Sequence, residues 1–416
     1  MPSNSTRSRM SEPGTGERRG AGEEWRIRLL ILVLAGLTAV APFATDIYVP
    51  AFPELAASLS ADDSTVQLSM TMFLIGLAGG QLVLGPLSDS LGRRRVLLFG
   101  TAAFLVLSLV CAMAPSIEVF NLARVLQGVA GAAGIVVARA VITDRFQGAA
   151  AARHFSALAS VVFVAPVVAP VLGGALLGLG PWHVLFVALA AFGLLLLAGV
   201  LAWVPESLPT DQRRSGGLPS TLRAMATLLT RRVLVGYLIV LGMCFAAFFA
   251  YISGATFVFQ DIYGVSATQF SLIFAANAVG MLVGGQVFGR MASRVRPRTL
   301  LGSGLGTALA ATAVLTAVLA SGAGNLGVTW GCLMVTVTGF GITVPAIITI
   351  VQDLGDDAPG ATSGLVGFGQ FALGAGGAPL TGLFGTSSVL PMALIMLSGV
   401  GLAMLAFATV ARPSAT

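Results

Sequence analysis

Two ionisable side chains stand inside long apolar runs: Asp46 near the end of the run 27–49, and Arg124 near the start of the run 119–142. A charge in hydrocarbon surroundings is expensive unless it faces a cavity or a partner. At a helical rise of about 1.5 Å per residue, Arg124 lies roughly 9 Å inside the start of its run and Asp46 roughly 6 Å inside the end of its own. The depths match, so the two are candidate partners. A carboxylate beside a guanidinium supports two roles: reversible proton binding, or a static ion pair that fixes packing. Proton binding is the favoured role, because a buried pair with no other duty contributes little to stability.

Other chemistries lack their residues. The sequence contains no phosphate loop, no metal-ligand cluster and no nucleophile–base–acid set, which excludes ATP-driven work and membrane enzymology. Cys111, Cys244 and Cys332 are far apart and each lies in an apolar run, so they read as small buried hydrophobes rather than as a disulfide or zinc framework. His154 and His183 fall at the ends of runs, where interfacial roles are expected. Gly367-Phe-Gly369-Gln-Phe-Ala372 matches a dinucleotide-binding glycine pattern but follows no strand. Close packing by small residues is the expected use of these glycines, as it is for Gly280-x-x-x-Gly284 and Gly302-x-x-x-Gly306.

The elements that must hold Asp46 and Arg124 are legible in the composition. Of 416 residues, 56% are hydrophobic and 10% charged, against roughly a quarter charged in soluble domains. The mean hydropathy is +0.92. A bilayer core requires about 20 helical residues per crossing. Runs of that length fall at 27–49, 66–87, 96–114, 119–142, 155–178 and 184–204, and again at 233–256, 267–289, 299–320, 327–351, 362–384 and 390–411. The expected fold is therefore all-α, with twelve transmembrane helices. Prolines 42, 166, 170, 345 and 379 fall inside these runs and are expected to kink them.

All 23 basic residues are arginines, and all but one lie in the terminal tails 1–28 and 412–416 or in every second connection. The intervening connections hold none, so the positive-inside rule puts both termini in the cytoplasm. The exception is Arg124. Net charge is +6, but the arginines come in short bursts between apolar runs rather than on a polar face, so no nucleic-acid partner is expected. Residues 1–26 form a polar tail read as disordered, and 412–416 a short cytoplasmic tail. The stretch 205–232 is a polar linker between two six-helix halves, 27–204 and 233–411. A degenerate echo relates the halves: Gly85-Pro-Leu-Ser-Asp89-Ser-Leu-Gly92-Arg93-Arg94-Arg95 after the second run, and Gly289-Arg-Met-Ala-Ser293-Arg-Val-Arg-Pro-Arg298 after the eighth. Such a repeat implies halves related by a pseudo-twofold axis.

The string from Gly85 to Arg95 resembles the loop 2–3 motif of the major facilitator superfamily. Asn121-Leu-Ala-Arg124-Val-Leu-Gln127-Gly128 is similar to its helix-four motif. Thr45-Asp46-Ile-Tyr48-Val-Pro-Ala-Phe-Pro53 resembles the helix-one signature of the Bcr/CflA drug:proton antiporters. Ala165-Pro166-Val-Val-Ala169-Pro170-Val-Leu-Gly173-Gly174 resembles their helix-five antiporter motif, with Ala165 and Ala169 where glycines are common. Arg139-Ala-Val-Ile-Thr-Asp144-Arg145 and Trp182-His-Val-Leu-Phe186 look like further subfamily landmarks. The resemblance spans residues 27–411 and is densest in the first half.

The resemblance implies a multi-pass protein of the bacterial inner membrane that exports amphipathic, drug-like small molecules of the chloramphenicol or bicyclomycin kind. Export would be in exchange for protons, by alternating access. The implied partners are substrate, protons and lipid, with no cofactor beyond the proton gradient and a monomeric state. Asp46 and Arg124 would couple protons to substrate. Chosen by residue type and depth, Tyr48, Phe73, Gln127, Phe248, Phe249, Tyr251, Asn277 and Gln370 are expected to line the cavity. Gly85, Asp89, Gly92, Arg93, Arg94 and Arg139 would form a conformational latch, with Asp89 facing the N-terminal end of the eleventh span near Ala361 and Thr362. A proton-coupled nutrient carrier of the same fold and a transporter-like sensor are the alternative readings.

Overall fold

The computed structural model describes residues 15–213, 217–384 and 388–411. Arg7, Arg9, Arg214 and Arg412 lie outside the described residues. Among those described there are only helices and connections. The order is α1 (Thr15–Asp46), a 3-10 turn (Val49–Ala51), α2 (Phe52–Ser58), α3 (Asp63–Leu91), α4 (Arg93–Ala112), α5 (Ile117–Arg145), α6 (Gly148–Leu177) and α7 (His183–Trp203). After a 3-10 turn at Thr210–Gln212 come α8 (Gly217–Leu228), α9 (Arg232–Phe257), α10 (Ala267–Met291), α11 (Pro297–Ala320), α12 (Leu326–Leu354), α13 (Pro359–Phe368), α14 (Leu380–Leu383) and α15 (Leu390–Thr409).

Eleven described helical segments are long and apolar enough to cross a membrane. The expected span at 362–384 is not a continuous helix. Residues 359–368 are α-helical, Gly369–Leu373 widen into a π-turn, and the chain leaves helical geometry before α14. The cause is local: Gly374-Ala-Gly376-Gly377-Ala-Pro379 combines the two residue types that least tolerate a helix interior. Pro42, Pro166, Pro170 and Pro345 do lie inside helices, whereas Pro379 precedes α14 as its N-cap. The expected polar linker contains a helix, α8, which buries Met225 and Leu228.

The helices pack in two groups. In the first, α5 packs on α3 and α4, and α1 on α5, α6 and α7; in the second, α12 packs on α10 and α11, and α15 on α9 and α11. The groups meet where α6 faces α10 and where α3 faces the broken segment α13–α14. Large apolar side chains such as Phe99 (74% exposed) and Leu195 (69%) project outward, a surface suited to lipid rather than water. The arginine-bearing connections gather at one end of the molecule, because successive long helices alternate in direction.

Candidate functional site

Helix α1 stops at Asp46 because the 3-10 turn and Pro50, Phe52 and Pro53 redirect the chain there. Asp46 is the one buried carboxylate among the described residues. Its Oδ1 accepts a hydrogen bond of 2.8 Å from the Thr45 hydroxyl. Arg124, in α5, has no exposed surface, but it does not form the expected ion pair with Asp46. Its guanidinium donates to the Ala44 carbonyl at 2.9 Å and to Gln127 Oε1 at 2.6 Å. It also lies 4.5 Å from the Tyr48 ring centroid and 4.4 Å from that of Phe73. The reason for the difference is geometric. Arg124 meets the carbonyl surface at the end of α1, while the Asp46 carboxylate is turned to its own neighbour. Two ring faces and a carbonyl then replace the counter-ion.

Gln127 extends the chain of contacts, donating from Nε2 to Ser108 Oγ at 2.8 Å. Tyr48 shares a hydrogen bond of 2.9 Å with Ser69. Across the molecule, Asn277 Nδ2 donates to the Tyr251 hydroxyl at 2.8 Å, and Trp330 Nε1 donates to Asn277 Oδ1 at 3.0 Å. Of the expected cavity residues, Tyr48, Phe73, Gln127, Phe249, Tyr251 and Asn277 are buried in packed interior, while Phe248 and Gln370 are partly exposed. Phe248 joins Phe245 and Phe340 in an aromatic cluster on the second group of helices. In helix α6, Pro166 and Pro170 precede Gly173 and Gly174. Gly173 abuts the backbone carbonyl of Ile47, and Gly174 faces Ser271 of α10.

At the arginine-bearing end, Gly92 adopts φ +98° between α3 and α4, and its missing Cβ leaves room for Glu206. Arg93 is the hub. Its guanidinium pairs with Asp89 and donates to Asp144 Oδ2 at 3.1 Å and to Ser88 Oγ at 2.6 Å, and its backbone N–H donates to Glu206 Oε1 at 2.8 Å. Arg94 donates to the Leu201 carbonyl at 2.9 Å. Asp89 therefore meets Arg93 rather than the N-terminal end of α13, although Asp89, Gly360 and Ala361 line one cavity of about 680 Å³. Gly85 and Arg139 line the same cavity. Glu206 was not expected here; Pro205-Glu206-Ser207 directly after a long apolar run was the only signal in the sequence.

The opposite end is closed by bonds between the two helix groups. Gln67 Oε1 accepts from Thr381 Oγ1 at 2.7 Å and from the Gly382 N–H at 2.8 Å, and Thr71 donates to the Ala375 carbonyl at 2.7 Å. Thr256 donates to the Val49 carbonyl at 2.8 Å, and Gln260 to the Pro50 carbonyl at 2.9 Å. The carbonyl freed where the segment 359–383 breaks, on Ala375, is thus used as an acceptor. None of these residues was singled out in the sequence, since uncharged side chains in apolar runs carry no signal of a partner in the other half.

The fold and the buried polar sites define a multi-pass helical membrane transporter. A family model for the Major Facilitator Superfamily matches residues 34–379, and the chain belongs to that superfamily, whose members carry solutes rather than catalyse reactions. Among its relatives, "Uncharacterized MFS-type transporter YdgK" of Bacillus subtilis (strain 168) is 37% identical over 91% of this chain and 95% of its own length. The "Bicyclomycin resistance protein homolog" of Haemophilus influenzae is 33% identical over 61% of this chain and 64% of its own length. The "Chloramphenicol resistance protein" of Pseudomonas aeruginosa is 35% identical over 62% and 61%. Among solved structures, a partially occluded inward-open conformation of the xylose transporter XylE from E. coli superposes with TM-score 0.73 at 14% identity, over 92% of this chain and 98% of that one. At that identity the likeness concerns the fold.

Proposed function

We propose that this transporter exports amphipathic small molecules, of the chloramphenicol or bicyclomycin kind, in exchange for protons. The observation that carries the reading is Asp46: among the described residues the single buried carboxylate, held by one hydroxyl and with no ion-pair partner, two residues from the Ala44 carbonyl that the fully buried Arg124 meets. An ionised carboxylate in such surroundings is costly, and either a proton or a donor on the substrate removes that cost. Competition between the two for one carboxylate is the coupling: each weakens binding of the other by the same factor. Arg124 keeps the end of α1 in place through the Ala44 carbonyl and supplies a fixed positive field. The resistance functions for which the Haemophilus and Pseudomonas relatives are named support the substrate class.

In this reading the segment 359–383 serves as the eleventh of twelve spans, in two six-helix halves related by a pseudo-twofold axis. Arginine placement supports cytoplasmic termini, which makes the closed end external and the 680 Å³ cavity internal. The site is the bacterial inner membrane, the driving force is the proton gradient, and the working unit is a monomer. The test uses proteoliposomes with a pH-sensitive dye inside. Addition of chloramphenicol or bicyclomycin should move protons across the membrane with the wild type and not with Asp46→Asn, whose melting curve should match the wild type. Normal drug-driven proton movement by Asp46→Asn would overturn the assignment.

A further inference from the structure

The cavity at the arginine-bearing end holds more hydrogen-bond donors than its own side chains can use. Arg139, on α5, is exposed at its mouth and has no ion-pair or hydrogen-bond partner for its guanidinium among the described residues. The nearby acids are already engaged: Asp89 by Arg93, and Asp144 by Arg93 and Ser207. Gln81, on α3, is 9% exposed, and its Nε2 is buried without a hydrogen-bond partner. A buried donor left unpaired is costly, so such groups are kept where something else completes them. Ser363 accepts from Gln352 at 3.0 Å, which leaves its hydroxyl proton to donate. The remaining wall is largely apolar, with Met225 of α8 reaching in from the linker.

Gln81 is held at this point by α13. The ideal Cβ position on Gly367 would collide with Gln81 Oε1, so the absent side chain is what lets the amide cross from one helix group to the other. A donor-rich pole beside an apolar wall suits a molecule with a nonpolar body and an acceptor at one end. We propose that this cavity is a second binding site, apart from Asp46, for an amphipath bearing a carboxylate or phosphate. Arg139 pairs with the anion, and Gln81 and Ser363 donate to its remaining oxygens. The site does not depend on proton coupling, and its occupant is either a free solute or the headgroup of an anionic lipid.

Equilibrium dialysis of the full-length protein in phosphatidylcholine nanodiscs, with 1-naphthylacetate and its methyl ester as probes, tests this. A charge-assisted contact should favour the carboxylate by about tenfold over the ester. Arg139→Gln should bring that ratio close to one, and Arg139→Lys should keep most of it. Gly367→Ala should weaken both probes by displacing Gln81. Nanodiscs containing phosphatidylglycerol separate the two sources: competition that disappears in Arg139→Gln identifies a lipid headgroup, and no competition identifies a solute. Equal binding of acid and ester by the wild type, or a ratio that survives Arg139→Gln, would overturn the proposal. Asp46→Asn should leave the ratio intact, so failure here is distinguishable from failure of the antiport reading.

Discussion

Gly173 of α6 lies directly against the backbone carbonyl of Ile47, the residue that follows Asp46, with no space for a Cβ between them. Gly173 therefore bears on the end of α1, next to Asp46, through backbone contact. Gly173→Ala should push α6 away from the end of α1, at a cost of about 1–3 kcal/mol for overpacking. We expect a lowered melting temperature and a loss of drug-driven proton movement out of proportion to it. Wild-type transport by this variant would show that the contact has no role beyond packing.

Arg124 offers a sharper division between charge and shape. Its guanidinium serves Ala44 and Gln127 while lying between the rings of Tyr48 and Phe73. Lysine retains the charge but not the fork or the flat faces. Arg124→Ala should stop transport, and Arg124→Lys should retain a minor fraction, as read by counterflow in proteoliposomes. Equal activity of the lysine variant would mean that charge alone suffices.

The geometry of Asp89 bears on the latch. It is paired with Arg93 here, while the N-terminal end of α13 lines the same cavity unattached to it. If the carboxylate moves to that helix end when the cavity closes, the contact adds about 0.3–1 kcal/mol, and up to about 2 when partly buried. Asp89→Asn should then enrich the state described here several-fold. Spin-label distances between the arginine-bearing ends of α3 and α13 check this; an unchanged distribution together with unchanged turnover would reduce Asp89 to a partner of Arg93.

The Arg231 guanidinium grips Asp357 with two hydrogen bonds, of 2.8 and 2.6 Å, and holds its carboxyl below the usual carboxylate range. Because the folded value is depressed, the stabilisation is complete above the unfolded value of about 3.9 and is lost as pH falls through the folded one. The pair is exposed, so the effect is small and weakens with salt. Asp357→Asn should lower the melting temperature slightly at pH 6, and the difference should shrink as the pH falls below the unfolded value. A difference that does not shrink on acidification would point to another cause.

Much of this architecture was readable because it rests on periodic bulk properties: apolar length marked eleven long membrane-spanning helices among the described residues, and arginine spacing marked one charged end. Asp46 and Arg124 stood out for the same reason, as charges where the pattern forbids them. Their mutual geometry was not readable. Whether Arg124 meets a carboxylate or a backbone carbonyl depends on a helix ending at Asp46, and depth estimates do not resolve helix rotation. The break in span eleven was written in its glycines and Pro379, yet hydropathy averages over such breaks. The bonds of Gln67 and Thr71 lay beyond reach, because a neutral side chain carries no mark of its distant partner.

The two ends of the molecule are fastened by different forces. Gln67, Thr71, Thr256 and Gln260 hold one end with uncharged hydrogen bonds, whereas Asp89, Arg93, Asp144 and Glu206 organise the other through ions. Mobile salt screens partly exposed charges over about 8 Å at physiological strength and scarcely touches neutral bonds. In the proposed alternating-access reading, the cycle is thereby asymmetric towards its medium. Electrolyte added at the arginine-bearing face should loosen the ion cluster that orders α3, α4 and α5 there, while the contacts at the far end keep a tempo set by neutral hydrogen bonds.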